Sequence, residues 1–145
     1  MAVVLGINAK AYYSTDATTY TELSNIKDLT INLEKGEADI TTRSGGGFRQ
    51  YAATLKEGGV DFQMVWDTDD AGFTAIKNAY FNDTTLAFMF LDGADDSSGS
   101  QGLKAEMTIT NFSRTESLEE ALMVDVSLKI TKGDLIATPS WHTVS

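Results

Sequence analysis

His142 is the only histidine in the sequence and lies close to its end. A hydroxyl nucleophile needs a base that a third group positions, and no G-x-S-x-G or comparable frame surrounds any serine here. The imidazole is therefore read as structural or solvent-facing. Asp67-Thr68-Asp69-Asp70-Ala71-Gly72 opens like a calcium loop, with Asp, Asp and Gly at its first, third and sixth positions. Ala71 then occupies a ligand position, and Asn78 stands where the loop needs a bidentate Glu. The same acids suit the start of a helix, where they complement its dipole. Asp92, Asp95 and Asp96 are interspersed with Ser and Gly and read as a solvated loop. No convergent pair for acid–base work is readable among the 21 acids. Cysteine is absent, which removes thiol catalysis, disulfides and Cys-ligated metal sites together.

Ser44-Gly45-Gly46-Gly47 has the composition of a phosphate cradle, but it lacks Gly-Lys-Ser/Thr and no helical pattern follows. Its flanks are Arg43 on one side and Phe48-Arg49 on the other, residue types that suit interfaces. Such a loop is costly to order alone and can be fixed by a neighbour. Arg43, Ser44, Gly45, Gly46, Gly47, Phe48 and Arg49 are accordingly read as an intersubunit assembly loop. No catalytic, cofactor-binding or metal-binding residue is expected.

The elements that must carry this loop are mostly strands. Leu29, Ile31 and Leu33 alternate with Thr30 and Asn32, as a half-buried strand requires, and Lys35-Gly36 reads as a turn. Ala38 to Thr42 and Tyr51 to Lys56 are extended on either side of the Gly-rich loop, and Glu57-Gly58-Gly59 is a second turn signal. Val60, Phe62, Met64 and Trp66 share one face of the next strand. The single helix is expected from about Asp70 to Phe81, with Phe73, Ile76 and Tyr80 at helical spacing. Thr68 or Asp69 is the expected cap, and Asn82-Asp83 the expected end. Leu86 to Leu91 is apolar on both faces and predicts a central strand covered on both sides, by the helix on one. Leu103 to Arg114 and Leu122 to Ile130 are the last two strands, and Lys132-Gly133-Asp134 ends the run.

At 145 residues the chain is one domain of ordinary size. Its expected parts are an extended N-terminal arm over residues 1–27, polar from residue 11 on, a Gly-rich assembly loop over 42–50 and a C-terminal tail over 134–145. Closely spaced strands and one helix imply a mainly β fold, an antiparallel β-sandwich or split barrel. The formal charge of -10, from 11 basic and 21 acidic residues, disfavours sustained gripping of nucleic acid. No signal peptide, membrane span or membrane anchor is indicated, so folding in the cytoplasm is expected. An alternative reading is a small ligand- or carbohydrate-binding β-sandwich, with Tyr12, Tyr13, Tyr20, Trp66 or Trp141 as a stacking surface.

The order of features resembles a major tail-tube protein of long-tailed bacteriophages, over most of the chain. The resemblance rests on Asp28-Leu29-Thr30-Ile31, on Asp39-Ile40-Thr41-Thr42-Arg43 leading into the Gly-rich loop, and on Thr54-Leu55-Lys56-Glu57-Gly58-Gly59. It continues with Phe62 to Asp67 running into a short helix, then Ile109-Thr110-Asn111-Phe112-Ser113, Leu118-Glu119-Glu120-Ala121-Leu122 and Asp125-Val126-Ser127-Leu128-Lys129. It implies a non-enzymatic virion protein without cofactors, whose copies form six-membered rings stacked into a hollow tail tube, a design shared with the type VI secretion tube protein. Tape-measure and tail-completion proteins are the implied partners, and DNA is only transient cargo in the lumen. The implied location is the virion tail, after assembly in the host bacterial cytoplasm.

Overall fold

Strict alternation sets the core of the last long strand: Val124, Val126 and Leu128 turn inward while Asp125 and Lys129 face water. The same period recurs across a sheet in which every pairing is antiparallel. The computed structural model describes residues 3, 5–116, 118–119 and 121–145. Met1, Ala2 and Val4 of the expected arm, and Glu120 of the Leu118–Leu122 stretch, lie outside the described residues. In chain order the elements are β1 (Lys10–Ser14), β2 (Thr21–Glu22), β3 (Ile26–Asp39), β4 (Tyr51–Val65), α1 (Ala71–Phe81), β5 (Thr85–Leu91), β6 (Gln101–Thr115), β7 (Met123–Ile130) and β8 (Ser140–Thr143). The sheet order is β2-β1-β5-β6-β7-β4-β3, and β8 pairs with Gln101–Lys104 of β6, past the point where β7 stops.

The two ends of this order meet. Glu22 pairs with Tyr12 of β1, and the Leu23 amide donates to the Ala11 carbonyl at 2.8 Å. Asn25 then accepts from the Val65 amide at 3.1 Å, and Ile26 pairs with Met64 of β4. Glu22 and Ile26 are at most about 15 Å apart at 3.8 Å per residue step, so one continuous stretch of chain serves both edges. The sheet is a split barrel, open along a seam between β1 and β3 where a cavity of about 480 Å³ is lined by Ala11, Ile26, Leu29 and Phe90. As expected, the architecture is mainly β with one helix.

Phe73, Ile76 and Ala79 of α1 join Val60, Phe62, Met64, Phe88, Met107 and Val126 in the core. The helix starts at Asp70, whose carboxylate accepts from the Phe73 amide at 2.9 Å. The cap is thus one residue beyond the expected Thr68 or Asp69. Asn82 closes the far end, its amide donating to the Asn78 carbonyl at 2.9 Å. Strand β5 is covered on both faces as its sequence requires. Leu86, Phe88 and Phe90 enter the core with the helix, while Met89 and Leu91 pack with Tyr12, Tyr20 and Val144.

Three expectations are corrected. Lys35-Gly36 and Glu57-Gly58-Gly59 are not turns but lie inside the long strands β3 and β4. These glycines make room rather than reversing the chain. A Cβ on Gly58 would stand 2.7 Å from Ile130 Cδ1 and 2.8 Å from Leu33 Cδ2, and one on Gly36 would overlap Thr54. The polar arm is also wrong over residues 10–14, which form β1 and bury Ala11, Tyr12, Tyr13 and Ser14 against β5.

Gly102 has the tightest surroundings of any glycine, because a Cβ there would overlap the Phe90 carbonyl. Backbone cannot yield as a side-chain tip can. Gly102→Ala is expected to cost about 3 kcal/mol or more, read from urea unfolding, whereas Gly6→Ala, in open space, is expected to leave the midpoint in place.

Candidate assembly interface

The Gly-rich loop is the tip of the β3–β4 hairpin. It is closed by its own hydrogen bonds. The Ile40 amide donates to the Gln50 carbonyl at 2.9 Å, the Gln50 amide to Thr41 Oγ1 at 2.9 Å, and the Thr41 amide to the Asp39 carboxylate at 2.9 Å. The Thr41 hydrogen bonds, from side chain and backbone, hold the exposed Asp39 carboxyl below its usual pKa. Arg43–Gly45 forms one 3-10 turn, then Gly46 and Gly47 carry φ of 67° and 88°, a region in which only glycine is unstrained. The tip presents Phe48, 75% exposed, between Arg43 and Arg49. Among the described residues neither arginine has an acidic partner.

Below the tip the hairpin stands free of the sheet. Strand β7 pairs with β4 only from Gly59 to Val65, so Tyr51–Gly58 has β3 as its sole hydrogen-bonded strand partner. From Asn32, opposite Gly59, to Asp39 this two-stranded extension reaches roughly 20 Å at about 3.3 Å per residue. It exposes Leu33, Ile40, Tyr51 and Leu55. It also places Glu34 opposite Glu57 and Lys35 opposite Lys56, like-charge pairings that weaken an isolated pair of strands. Sequence reading found the tip but missed this extension, because Gly36, Gly58 and Gly59 broke the alternation that would have revealed it.

The aromatic residues of the alternative reading do not assemble into a platform. Tyr12 and Tyr13 are buried, and Trp66 packs edge-on against Phe73 at 4.8 Å with the Arg114 guanidinium 5.0 Å above its ring. Tyr20 is half-buried beside Lys104. Trp141 alone is exposed, its indole N–H donating to Gln101 Oε1 at 2.8 Å. His142 is half-buried in β8.

A family model described as phage tail tube protein matches residues 9–133. The chain belongs to that family. It is a structural, tube-forming protein of the virion tail, and the ligand-binding alternative has no support. Among solved structures, the tail of an empty gene transfer agent particle, refined with C6 symmetry, is 15% identical with a TM-score of 0.73, covering 94% of this chain and 99% of that one. The SPP1 tail tube is 17% identical with a TM-score of 0.73, covering 97% and 80%. The baseplate of the anti-feeding prophage, symmetrised six-fold, is 7% identical with a TM-score of 0.67, covering 99% and 98%. At these identities the likeness is one of fold. A search of curated proteins finds no match.

The segment after β7, expected as a tail over residues 134–145, is tied back to the sheet through β8. Val144 exchanges backbone hydrogen bonds with Gly99 and Ser100 at 2.8 Å each. Glu106 organises the approach. Its side chain, 1% exposed, accepts from the Leu135 amide at 2.9 Å, the Ile136 amide at 3.1 Å and the Thr85 hydroxyl. A Cβ on Gly133 would strike this carboxylate. No ion pair reaches it among the described residues. Burial pushes the Glu106 pKa up, but the hydrogen bonds from Thr85, Ile136 and Leu135 outweigh burial and leave it lowered. Only the charged residue in an otherwise buried run, Ala105-Glu106-Met107, hinted at this role.

Glu106→Ala leaves two partly buried amides without acceptors and is expected to cost about 2–3 kcal/mol, with faster hydrogen exchange at Leu135 and Ile136. Because the folded-state pKa lies below the ordinary 4.5, the contribution is full above that pH and is lost as pH falls through the folded value. Thermal melts across that window are expected to flatten in Glu106→Gln.

Proposed function

We propose that copies of this chain form six-membered rings that stack into a hollow tube, with residues 43–49 making the contact between subunits. The observation that carries this reading is the β3–β4 extension, which no third strand pairs and on which Ile40, Tyr51 and Leu55 stay exposed. Strand edges left open invite pairing with another copy, and a head-to-tail contact that closes gives a ring while one that does not gives a filament. The six-fold symmetry named for two similar folds agrees with that count. Residues 5–9 and 15–22, which remain mostly exposed, and the segment from 134 to 145 contribute further contacts. Tape-measure and tail-completion proteins set the length and ends of the tube, and assembly takes place in the cytoplasm of a bacterial host. No step requires a catalytic group or a bound cofactor.

DNA passes through the lumen as transient cargo. The charge of -10 suits a wall that repels phosphate, so the strand does not adhere. A tube reconstruction with a basic or apolar lumen and the acids confined outside would refute this part.

Negative-stain microscopy of concentrated protein is expected to show rings or tubes. Deleting residues 44–49 removes the tip outside the core, so the chain is expected to keep its melting temperature and to lose tube formation. Tubes of normal length from the shortened chain would sink the role given to the loop.

A further inference from the structure

The end of the barrel opposite the hairpin tip carries an exposed aromatic patch. Strand direction places it there: β3 runs toward the tip, so the connections after β4, between α1 and β5, and between β6 and β7 all lie at the other end. At that end Tyr80 and Phe81, the last residues of α1, pack edge to face at 5.2 Å, and both approach Phe112, at 5.9 and 6.4 Å. Phe81 is 69% exposed. Exposed carboxylates lie on the connections at this end: Asp67 and Asp69 before the helix, Asp83 two residues after Phe81, Glu116 and Glu119 beyond β6. Lys27, Lys77 and Arg114 are the cations placed toward this end, and Arg114 is already engaged by Glu116 at 3.2 Å and by Trp66.

The hairpin tip is the chemical converse of this patch. Residues 40–50 contain Arg43 and Arg49 and no acid, in a chain that is otherwise strongly negative. They also present one aromatic ring, Phe48. Within one chain the two regions cannot meet, because β4 alone separates them by about 45 Å at about 3.3 Å per residue.

We infer that the tip of one copy docks on the Tyr80–Phe81 patch of the next, with Phe48 against the rings and Arg43 and Arg49 on the carboxylates of that end. This rests on the role proposed for residues 43–49 and names the surface that receives them. Aromatic packing supplies the buried contact, and arginine favours carboxylate pairing in such a rim. Tip to opposite end is a heterologous contact, and, running along the strand direction from one end of the barrel to the other, it is assigned to the axial contact that gives the stack a direction.

The absence of cysteine makes the test direct. Ser44→Cys chains, which keep Phe48 and carry the thiol at an exposed tip position, are mixed with Thr84→Cys chains, Thr84 being exposed three residues after Phe81, and oxidised mildly. A mixed disulfide-linked dimer is expected. Ser44→Cys with Ser97→Cys, exposed on the β5–β6 loop at the tip's own end, is expected to give none. Adding Arg43→Glu and Arg49→Glu to the Ser44→Cys chain is expected to abolish the mixed dimer. No mixed dimer with Thr84→Cys, equal yield with Ser97→Cys, or a yield unmoved by the two charge reversals overturns the assignment. If chains lacking residues 44–49 still lose their tubes, only the docking surface is wrong; if those chains form normal tubes, the role of the loop falls too.

Discussion

Strands β3 and β4 pair with each other far past the point where any third strand supports them. Between Ile26 and Asn32 the pair belongs to the barrel, with β7 beside it and Val60, Phe62 and Met64 in the core. From Leu33 to the tip no third strand pairs with it, and only its base lies near Ile130. A free two-stranded ribbon is marginal in water, and here opposed like charges and exposed leucines weaken it further. Its continuity with seven paired residues of barrel below, Gly59–Val65 against β7, is what holds it out from the body. The shape of the molecule, a compact barrel with one long arm, follows from this mismatch in strand length.

The barrel end of that mismatch is rigid for identifiable reasons. Residues 21–39 cross from β1 to β4, so the two ends of the sheet are tied by covalent chain rather than by a full ladder of hydrogen bonds. The helix caps the interior through Phe73 and Ile76, which are almost wholly buried. On the outer face the chain after β7 is secured by a carboxylate without a counter-ion, Glu106, held by three donors. A buried charge of this kind is tolerated only when hydrogen bonds replace the water it has lost, and Gly133, having no Cβ, leaves room for the carboxylate.

A structural virion protein works through its surface and its stiffness, not through a reactive group. The features that would be oddities in a monomeric enzyme have a common sense in that light: an arm with uncovered leucines, a basic aromatic tip and an acidic aromatic patch at opposite ends of one barrel. Trp141 is the exception, since its indole is hydrogen-bonded yet largely exposed, and nothing in the structure explains its exposure.

The sequence by itself determined the fold class, the helix, the double-sided burial of β5 and the existence of an exposed Gly-rich tip, because each depends on a local period or on backbone freedom at particular glycines. It also carried the resemblance to tail-tube proteins, through the order of strand, loop and helix. Tertiary structure alone decided what Gly36, Gly58 and Gly59 are for. A glycine that turns the chain and one that lets Ile130 or Thr54 approach look alike in sequence, since the difference lies in a neighbour tens of residues away. For the same reason residues 10–14 read as a polar arm until β5 was seen beside them, and the partners of Glu106, which are Thr85, Leu135 and Ile136, lie 21 to 30 residues away. Long-range neighbours, absent from any local pattern, converted two apparent turns into an arm of roughly 20 Å and set the tip at the far end from the aromatic patch.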